Sequence, residues 1–358
     1  MRLQRLLVPF LTLAFTAAAH AQSWFYDQPL SPNGGTLRQS QLWIDPSGQN
    51  DSDNDAIAWE DFTLPQNQVI THVRWIGDAA PPLGFQISFF HQDPGTIAVQ
   101  PDIVAAGSGP ISEEIVTSFT TTPAGSLFRF EAQLATPVFV AANTRYFLSV
   151  VGRTPLSYAS WRWAQGTNGT SGTFWWQRGM HMYFMLPDNR AMSLGTTYPA
   201  FVGNAACSGD GSTGTCPCGN SRGPVVGCRN STREGAVLVA TGSASVTADD
   251  LVLTTLAMPR NQSCLMFVSP NVINGVPFGD GLRCLTGPLS RFPVRNSGAT
   301  GVLTEGPGLA NWSLTHLASP NQFLAGRTLG FQTWYRDTTG PCGQLTNVSS
   351  ARVVTFAP

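Results

Sequence analysis

Lysine is missing from this chain altogether. All 20 basic residues are arginine, and charged residues of both signs make up only 11 %, against about 25 % in an ordinary soluble domain. Without Arg2 and Arg5, which belong to an N-terminal leader described below, 18 arginines face 21 carboxylates, a net charge of −3. No basic stripe is present to neutralise phosphates, which argues against nucleic acid as a partner. Nor is there a polybasic cluster for an anionic membrane surface. After the leader, no apolar run approaches the roughly 20 residues that span a bilayer, so no membrane span is expected. Cysteine is absent from the first 206 residues.

The local motifs of catalysis are missing too. There is no G-x-S-x-G elbow and no H-E-x-x-H helix. His20 lies in the leader, and His72, His91, His181 and His316 are scattered. The pairs Glu60-Asp61 and Glu113-Glu114 are sequence neighbours, so on a strand they point to opposite faces and form no acid/base dyad. An enzyme would need residues distant in sequence to converge, and no motif announces that.

What is present begins with an export signature. Arg2 and Arg5 precede an uncharged apolar run from Leu6 to Ala18, and Ala19-His20-Ala21 supplies small residues where a signal peptidase reads them. Residues 1–21 are therefore expected to be a signal peptide, with a secreted or cell-surface mature chain starting near Gln22. From there to about 206, short runs rich in β-branched and aromatic residues follow one another, most bounded by Gly, Pro, Asn or Asp. Examples are Ala56 to Leu64, Val69 to Ile76, Phe85 to Phe90, Tyr146 to Val151 and Tyr158 to Trp163. The same pattern resumes after 228, with Ala236 to Thr241 and Leu251 to Thr254 as a strand pair. Leu265 to Val268, Trp312 to Leu317, Leu329 to Tyr335 and Ala351 to Phe356 continue the series, and 298–310 reads as a loop. The 36 glycines and 26 prolines suit many strands and tight turns. The expectation is an all-β protein with two β-sandwich or jelly-roll-like domains, 22–206 and 229–358, joined by a cysteine-rich linker, 207–228.

Four of the seven cysteines lie between Cys207 and Cys228. In an exported chain they are expected to form disulfides. The shortest loops come from Cys207–Cys216 and Cys218–Cys228, with Cys284–Cys342 as the third bond and Cys264 left as a buried thiol. Four cysteines allow three connectivities, so the spacing does not decide. A zinc site is disfavoured by the C-x-C spacing of Cys216 and Cys218, since zinc knuckles place two to four residues between ligands.

The run CxGDGSxGTCPCGNSxGxxxGCxNS, spelled by Cys207 to Ser231, resembles a module of secreted proteins from planctomycete-like and myxobacterial-like bacteria. The likeness continues through Val276-Pro277-Phe278-Gly279-Asp280-Gly281-Leu282-Arg283-Cys284 and Phe331-Gln332-Thr333-Trp334-Tyr335-Arg336-Asp337. More loosely, Trp59 to Leu64 and Ile70 to Trp75 are similar to a β domain of secreted bacterial proteins. The resemblance implies export and a β fold. It assigns no residue a role.

Two stretches carry candidate binding chemistry. Asp51, Asp53 and Asp55 alternate in a polar loop and can converge on Ca²⁺, which takes six to eight oxygens. The EF-hand pattern fails, with Ala56 and Phe62 at its glycine and glutamate positions, and a solvated acidic turn is the plainer alternative. Trp161 and Trp163 are two apart and share a strand face, and Trp175 and Trp176 follow. With Arg162 among them, these rings form either a sugar-stacking platform or sandwich core. The functional expectation is a non-catalytic binding or cell-surface and matrix protein, recognising an extracellular polysaccharide or envelope component through its first domain. A purely structural envelope protein and a polysaccharide-degrading enzyme are the alternatives.

Overall fold

The computed structural model describes residues 22–48, 52–96, 98–103 and 108–358. The expected signal peptide lies outside them. The fold is all-β, in two sandwich units. The described residues contain one α-helix, Leu309–His316, and none long and apolar enough to cross a membrane.

In the first unit two sheets face each other. One is built on Gln68–Gly77, which pairs with Leu127–Val140 and Met192–Thr196. The other runs in the order Met182–Leu186, Thr173–Gln177, Ala56–Thr63, Gln41–Trp43, Arg145–Thr154, Phe85–His91, Ser112–Val116. Between them lies an aromatic core. Trp75 meets Phe85 edge-on with centroids 4.9 Å apart, and Phe130 stacks on Trp75 at 5.7 Å. Ala56–Thr63 shows only partial apolar alternation because both its faces are covered. Ala58, Glu60 and Phe62 point into the sandwich, while Trp59 packs on Phe90, Phe147 and Phe174 on the outside.

The second unit stacks a three-stranded sheet (Val237–Thr241, Val252–Leu256, Leu303–Glu305) on a seven-stranded one centred on Ser263–Ser269 and Thr328–Arg336. The apolar run Val237–Thr241 is continuous because it too is buried on both faces, as such runs generally are. Leu238 and Ala240 face the domain core. Val237 and Val239 face the first unit, where Val69 and Phe139 meet them along with Val226 and Leu256. Glu234 seals one side of this junction, bound to His91 of the first unit (3.0 Å) and to Arg222 (2.6 Å).

The expected linker is not a linker. Asn204–Ala206 already pairs with Ala351–Thr355 of the second unit, so the crossover between domains is 197–203. Residues 207–228 are folded onto the second unit and bonded into it. The disulfides are Cys207–Cys284, Cys216–Cys228 and Cys218–Cys342. This corrects the shortest-loop pairings Cys207–Cys216, Cys218–Cys228 and Cys284–Cys342. Cys218 lies within the turn Pro217–Gly219 in a left-handed conformation, beside Cys342, whose Sγ is 3.0 Å from the Pro217 carbonyl oxygen, and Cys207 lies against the hairpin carrying Cys284, its Sγ 3.1 Å from the Leu282 carbonyl oxygen. Cys264 is a buried free thiol, as expected.

A second correction concerns Trp312 to Leu317, expected as strand. The segment forms most of the helix Leu309–His316. Its N-cap, Gly308, has no side chain to offer, and Asp249 caps it instead, accepting from the amides of Ala310 (2.6 Å) and Asn311 (3.0 Å). No local capping signal exists in the sequence.

Non-reducing proteolysis with mass spectrometry is expected to recover peptides joined by Cys207–Cys284, Cys216–Cys228 and Cys218–Cys342. Peptides closed by Cys207–Cys216 or Cys218–Cys228 would contradict this fold of the segment.

Candidate functional site

Strand geometry sorts the four tryptophans. Trp161 and Trp163 do share a face, and that face is the core. Trp163 has no exposed surface, and its Nε1 donates to the Ala191 carbonyl at 2.8 Å. Trp161 packs edge-on against Phe85 at 5.1 Å. Gly77 and Gly152 are glycines for its sake, since a Cβ there would lie 2.5 Å and 2.7 Å from its side chain. These two rings are therefore core and not a platform. Arg162 points the other way, paired with Asp78 at 2.8 Å.

On Thr173–Gln177 the alternation splits the remaining pair. Trp175 leans on the sandwich core and its Nε1 donates to the Gln39 carbonyl at 2.7 Å. Trp176 lies on the outer face beside Ile57 and Phe174. Of the four, Trp176 is the ring that reaches the outside of the sandwich.

What surrounds it was not singled out from the sequence. The edge strand Met182–Leu186 pairs in register with Thr173–Gln177, bringing Tyr183 opposite Trp176 and Met185 opposite Phe174. Tyr183 is 50 % exposed and stacks on Phe174 with centroids 5.5 Å apart and an interplanar angle of 19°, while Trp176 stands 6.5 Å away. Met185 shares the Tyr183 face of the strand and is exposed, as is Met180 in the turn before it, whereas Met182 alternates to the other face. The result is a ring plane held from beneath, edged by soft apolar side chains. The available signal is the short aromatic and apolar run MYFML just after the Trp-Trp pair, which does not by itself mark a surface because Met and Tyr also serve in cores.

The aspartate loop contacts this strip through the backbone. Arg178 and Gly179, just after Thr173–Gln177, donate their amides to the carbonyls of Asp55 (2.9 Å) and Asp53 (3.0 Å). Asp55 is buried, and its Oδ1 accepts from the Trp43 amide at 2.8 Å, so it supports the turn. Asp51 lies outside the described residues. Among the described residues, no three His, Cys, Asp or Glu side chains stand together to hold a metal ion.

Glu60 and Asp61 face opposite ways, as neighbours on a strand must. Asp61 lies beneath the outer face, paired with Arg145 at 3.1 Å. Glu60 is inside the sandwich, accepting from Thr173 Oγ1 at 3.0 Å. Arg190, also fully buried, donates to Thr173 Oγ1 and the Trp163 carbonyl, both at 3.0 Å, and is ion-paired with Asp188. Burial pushes the Glu60 carboxyl up to about 8, with Thr173 and Arg190 offsetting only part of that cost. With no exposed surface it cannot touch a substrate, and its role is structural.

Glu234 behaves oppositely. Burial alone would raise its pKa, but His91 and Arg222 outweigh burial and hold it below the usual carboxylate range. Cys264 is likewise unsuited to chemistry, because burial, with Glu305 nearby, pushes its thiol up to about 11. No protein-family model matches the chain, and no curated protein matches it in sequence.

Two predictions follow from this placement. Trp163→Ala is expected to cost about 3–5 kcal/mol, whereas Tyr183→Ala should cost about 1 kcal/mol or less; denaturant titration of both variants checks the assignment of core and surface. The second concerns pH. Glu60 is protonated when folded but ionises above about 4.5 when unfolded, so the folded state holds more protons between about 4.5 and about 8. Its contribution is complete below that window and falls, by about 1.4 kcal/mol per pH unit, as pH rises through it. Glu234 works in the other direction, and its contribution is lost on acidification below the unfolded value of 4.5. Thermal melts from pH 4 to 9 should place the stability maximum on the acid side of neutrality, and Glu60→Gln should flatten the decline above it.

Proposed function

We propose that this is an exported, non-catalytic binding protein that holds an extracellular polysaccharide against the outer aromatic strip of its first domain. The observation that carries the reading is Tyr183, half exposed, stacked on Phe174 and flanked by Trp176. A ring plane fixed from below offers a flat apolar surface to the C–H face of a sugar and loses little entropy in doing so. Three disulfides favour an oxidising address. The leader pattern and the family resemblance of the cysteine run support the same address. Of the expected residues, Trp161, Trp163 and Trp175 pack into the sandwich and Arg162 is paired with Asp78, so the proposed site keeps Trp176 and adds Tyr183 and Met185.

A second reading rests on the same strand. Met182–Leu186 ends its sheet, so its far edge has no strand partner among the described residues, and its exposed side chains are apolar. Such an edge can pair with another copy, which would suit a structural matrix protein.

The test is affinity electrophoresis of the mature chain through a panel of polysaccharides, with calcium and with EDTA. At least one polysaccharide is expected to retard it, and Tyr183→Ala or Trp176→Ala should weaken that binding by roughly tenfold or more. EDTA-insensitive binding confines the site to the rings. EDTA-sensitive binding brings in calcium at the loop of Asp51, Asp53 and Asp55. No retardation on any polysaccharide, combined with concentration-dependent association that Met185→Lys abolishes, would overturn the proposal in favour of the matrix reading.

A further inference from the structure

The outer face of the seven-stranded sheet in the second domain is only half covered. Its cover is the hairpin Asn271–Phe278 and Gly281–Thr286. The Cys207–Cys284 bond anchors this hairpin, and Gln332 holds it from the sheet, donating to the Leu282 carbonyl (2.7 Å) and accepting from the Cys284 amide (3.1 Å). Beside the hairpin the sheet presents Leu265 and Trp334, directly opposite each other in register, and Phe267. Phe278 and Arg283 form the hairpin wall, and Arg291 stands on the neighbouring short strand. Together they enclose an open-sided groove of about 350 Å³, within the size of small-ligand clefts.

The polar groups in this groove are all of one sign. The Arg283 guanidinium lies 5.5 Å over the Phe278 ring, and its Nε is buried with no hydrogen-bond partner among the described residues. Arg291 is exposed. Neither arginine forms an ion pair among the described residues, and no Asp or Glu lines the groove. Two unneutralised guanidiniums beside an aromatic floor select an anion with a flat apolar body. Their planar forks match oxyanions such as a carboxylate in bidentate geometry.

We propose that this groove binds a carboxylate-bearing sugar, a uronic acid unit of an acidic polysaccharide, with its ring on Trp334 and its carboxylate between Arg283 and Arg291. An acidic peptide is disfavoured because the adjacent edge strand, Ser290–Arg291, is two residues long and offers almost no ladder for strand addition. This site is in the other domain from the tyrosine strip and stands whether or not that strip binds anything.

The test is calorimetric titration of the full mature chain with trigalacturonate, with maltotriose as the neutral control and a glutamate-rich peptide and a sulfated trisaccharide as competing anions. Trigalacturonate is expected to bind, and more weakly as salt rises. Arg283→Gln and Arg291→Gln should each lower its affinity by roughly tenfold or more, while Tyr183→Ala leaves it unchanged. Maltotriose should not compete with trigalacturonate, and any binding it shows should be unchanged in the arginine variants. The proposal is overturned if trigalacturonate does not bind, if the arginine variants retain its full affinity, or if the peptide or the sulfated sugar binds more tightly. Arg291 is exposed and its replacement leaves the hairpin intact, so the test holds even where Arg283→Gln fails to fold.

Discussion

Irregular backbone can be buried only if its amides and carbonyls find partners, and the segment from Cys207 to Gly235 meets that condition through buried carboxamides. Asn220 donates to the carbonyls of Arg229 and Asp280, at 2.9 Å and 2.8 Å. Asn230 reaches the Ala257 carbonyl at 2.8 Å and the Tyr335 hydroxyl at 3.2 Å. Gln332, inside the sheet, ties together Leu282, Cys284 and Ser349. Asp280 accepts from the amides of Cys342 and Gln344, which sets the loop that carries the partner of Cys218. The disulfides then close a shape that side-chain hydrogen bonds have already specified. Because that shape is fixed, Val226 and Glu234 are presented to the first domain at one position, and the two sandwiches dock through them.

This network explains the chemistry of the cysteine-rich run more economically than any site would. Its polar residues Asn220 and Asn230, with Asp280, Gln332 and Asp337 further along, are engaged mainly with backbone, although Oδ1 of Asn220 and Oδ1 of Asp337 have no hydrogen-bond partner among the described residues. Asp337, for instance, accepts from the Ser231 amide at 3.1 Å, and burial raises its pKa. A motif can be specific in sequence because a fold is demanding. Burial constrains charge in the same way on the strands, since both faces of Ala56–Thr63 and of Val237–Thr241 are covered and a charge there must be neutralised or paired. Glu60 takes the first course and Asp61 the second.

Much of the fold was legible because it depends on period and punctuation. Strand identity at Ala56, Val69, Phe85, Tyr146, Ala236 and Leu329 followed from β-branched and aromatic runs ended by turn residues, and the structure places strands at each. What was not legible depends on contacts between distant residues. Cysteine pairing follows tertiary proximity, and Cys284 reaches Cys207 only after the hairpin folds back onto the sheet. The helix Leu309–His316 is capped by Asp249 from another segment, so its start carried no local mark. For the tryptophans, a spacing of two correctly put Trp161 and Trp163 on one face. Period alone cannot say whether a face looks inward or outward. The two glycines that Trp161 requires, Gly77 and Gly152, lie on other strands, and only their approach identifies that face as core.

The surfaces left after this sorting differ in kind. The strip around Tyr183 is uncharged at its centre, whereas the groove beside Trp334 is flanked by Arg283 and Arg291. They stand on domains joined by an apolar junction and by the Glu234 pairs, with a short crossover at 197–203. If both proposed surfaces bind, they are not separated by a long tether, and a polymer engaging one would meet the other at a geometry set by this junction. Simultaneous engagement would then depend on whether the repeat of the polymer matches that geometry. A neutral surface and a cationic one would also select different units, so a mixed chain of neutral and acidic sugars would gain from both sites where a homopolymer gains from one. On the proposed reading, discrimination of that kind would require the two surfaces to be held in one arrangement, and the buried carboxamides between Cys207 and Gly235 are the contacts that would hold it.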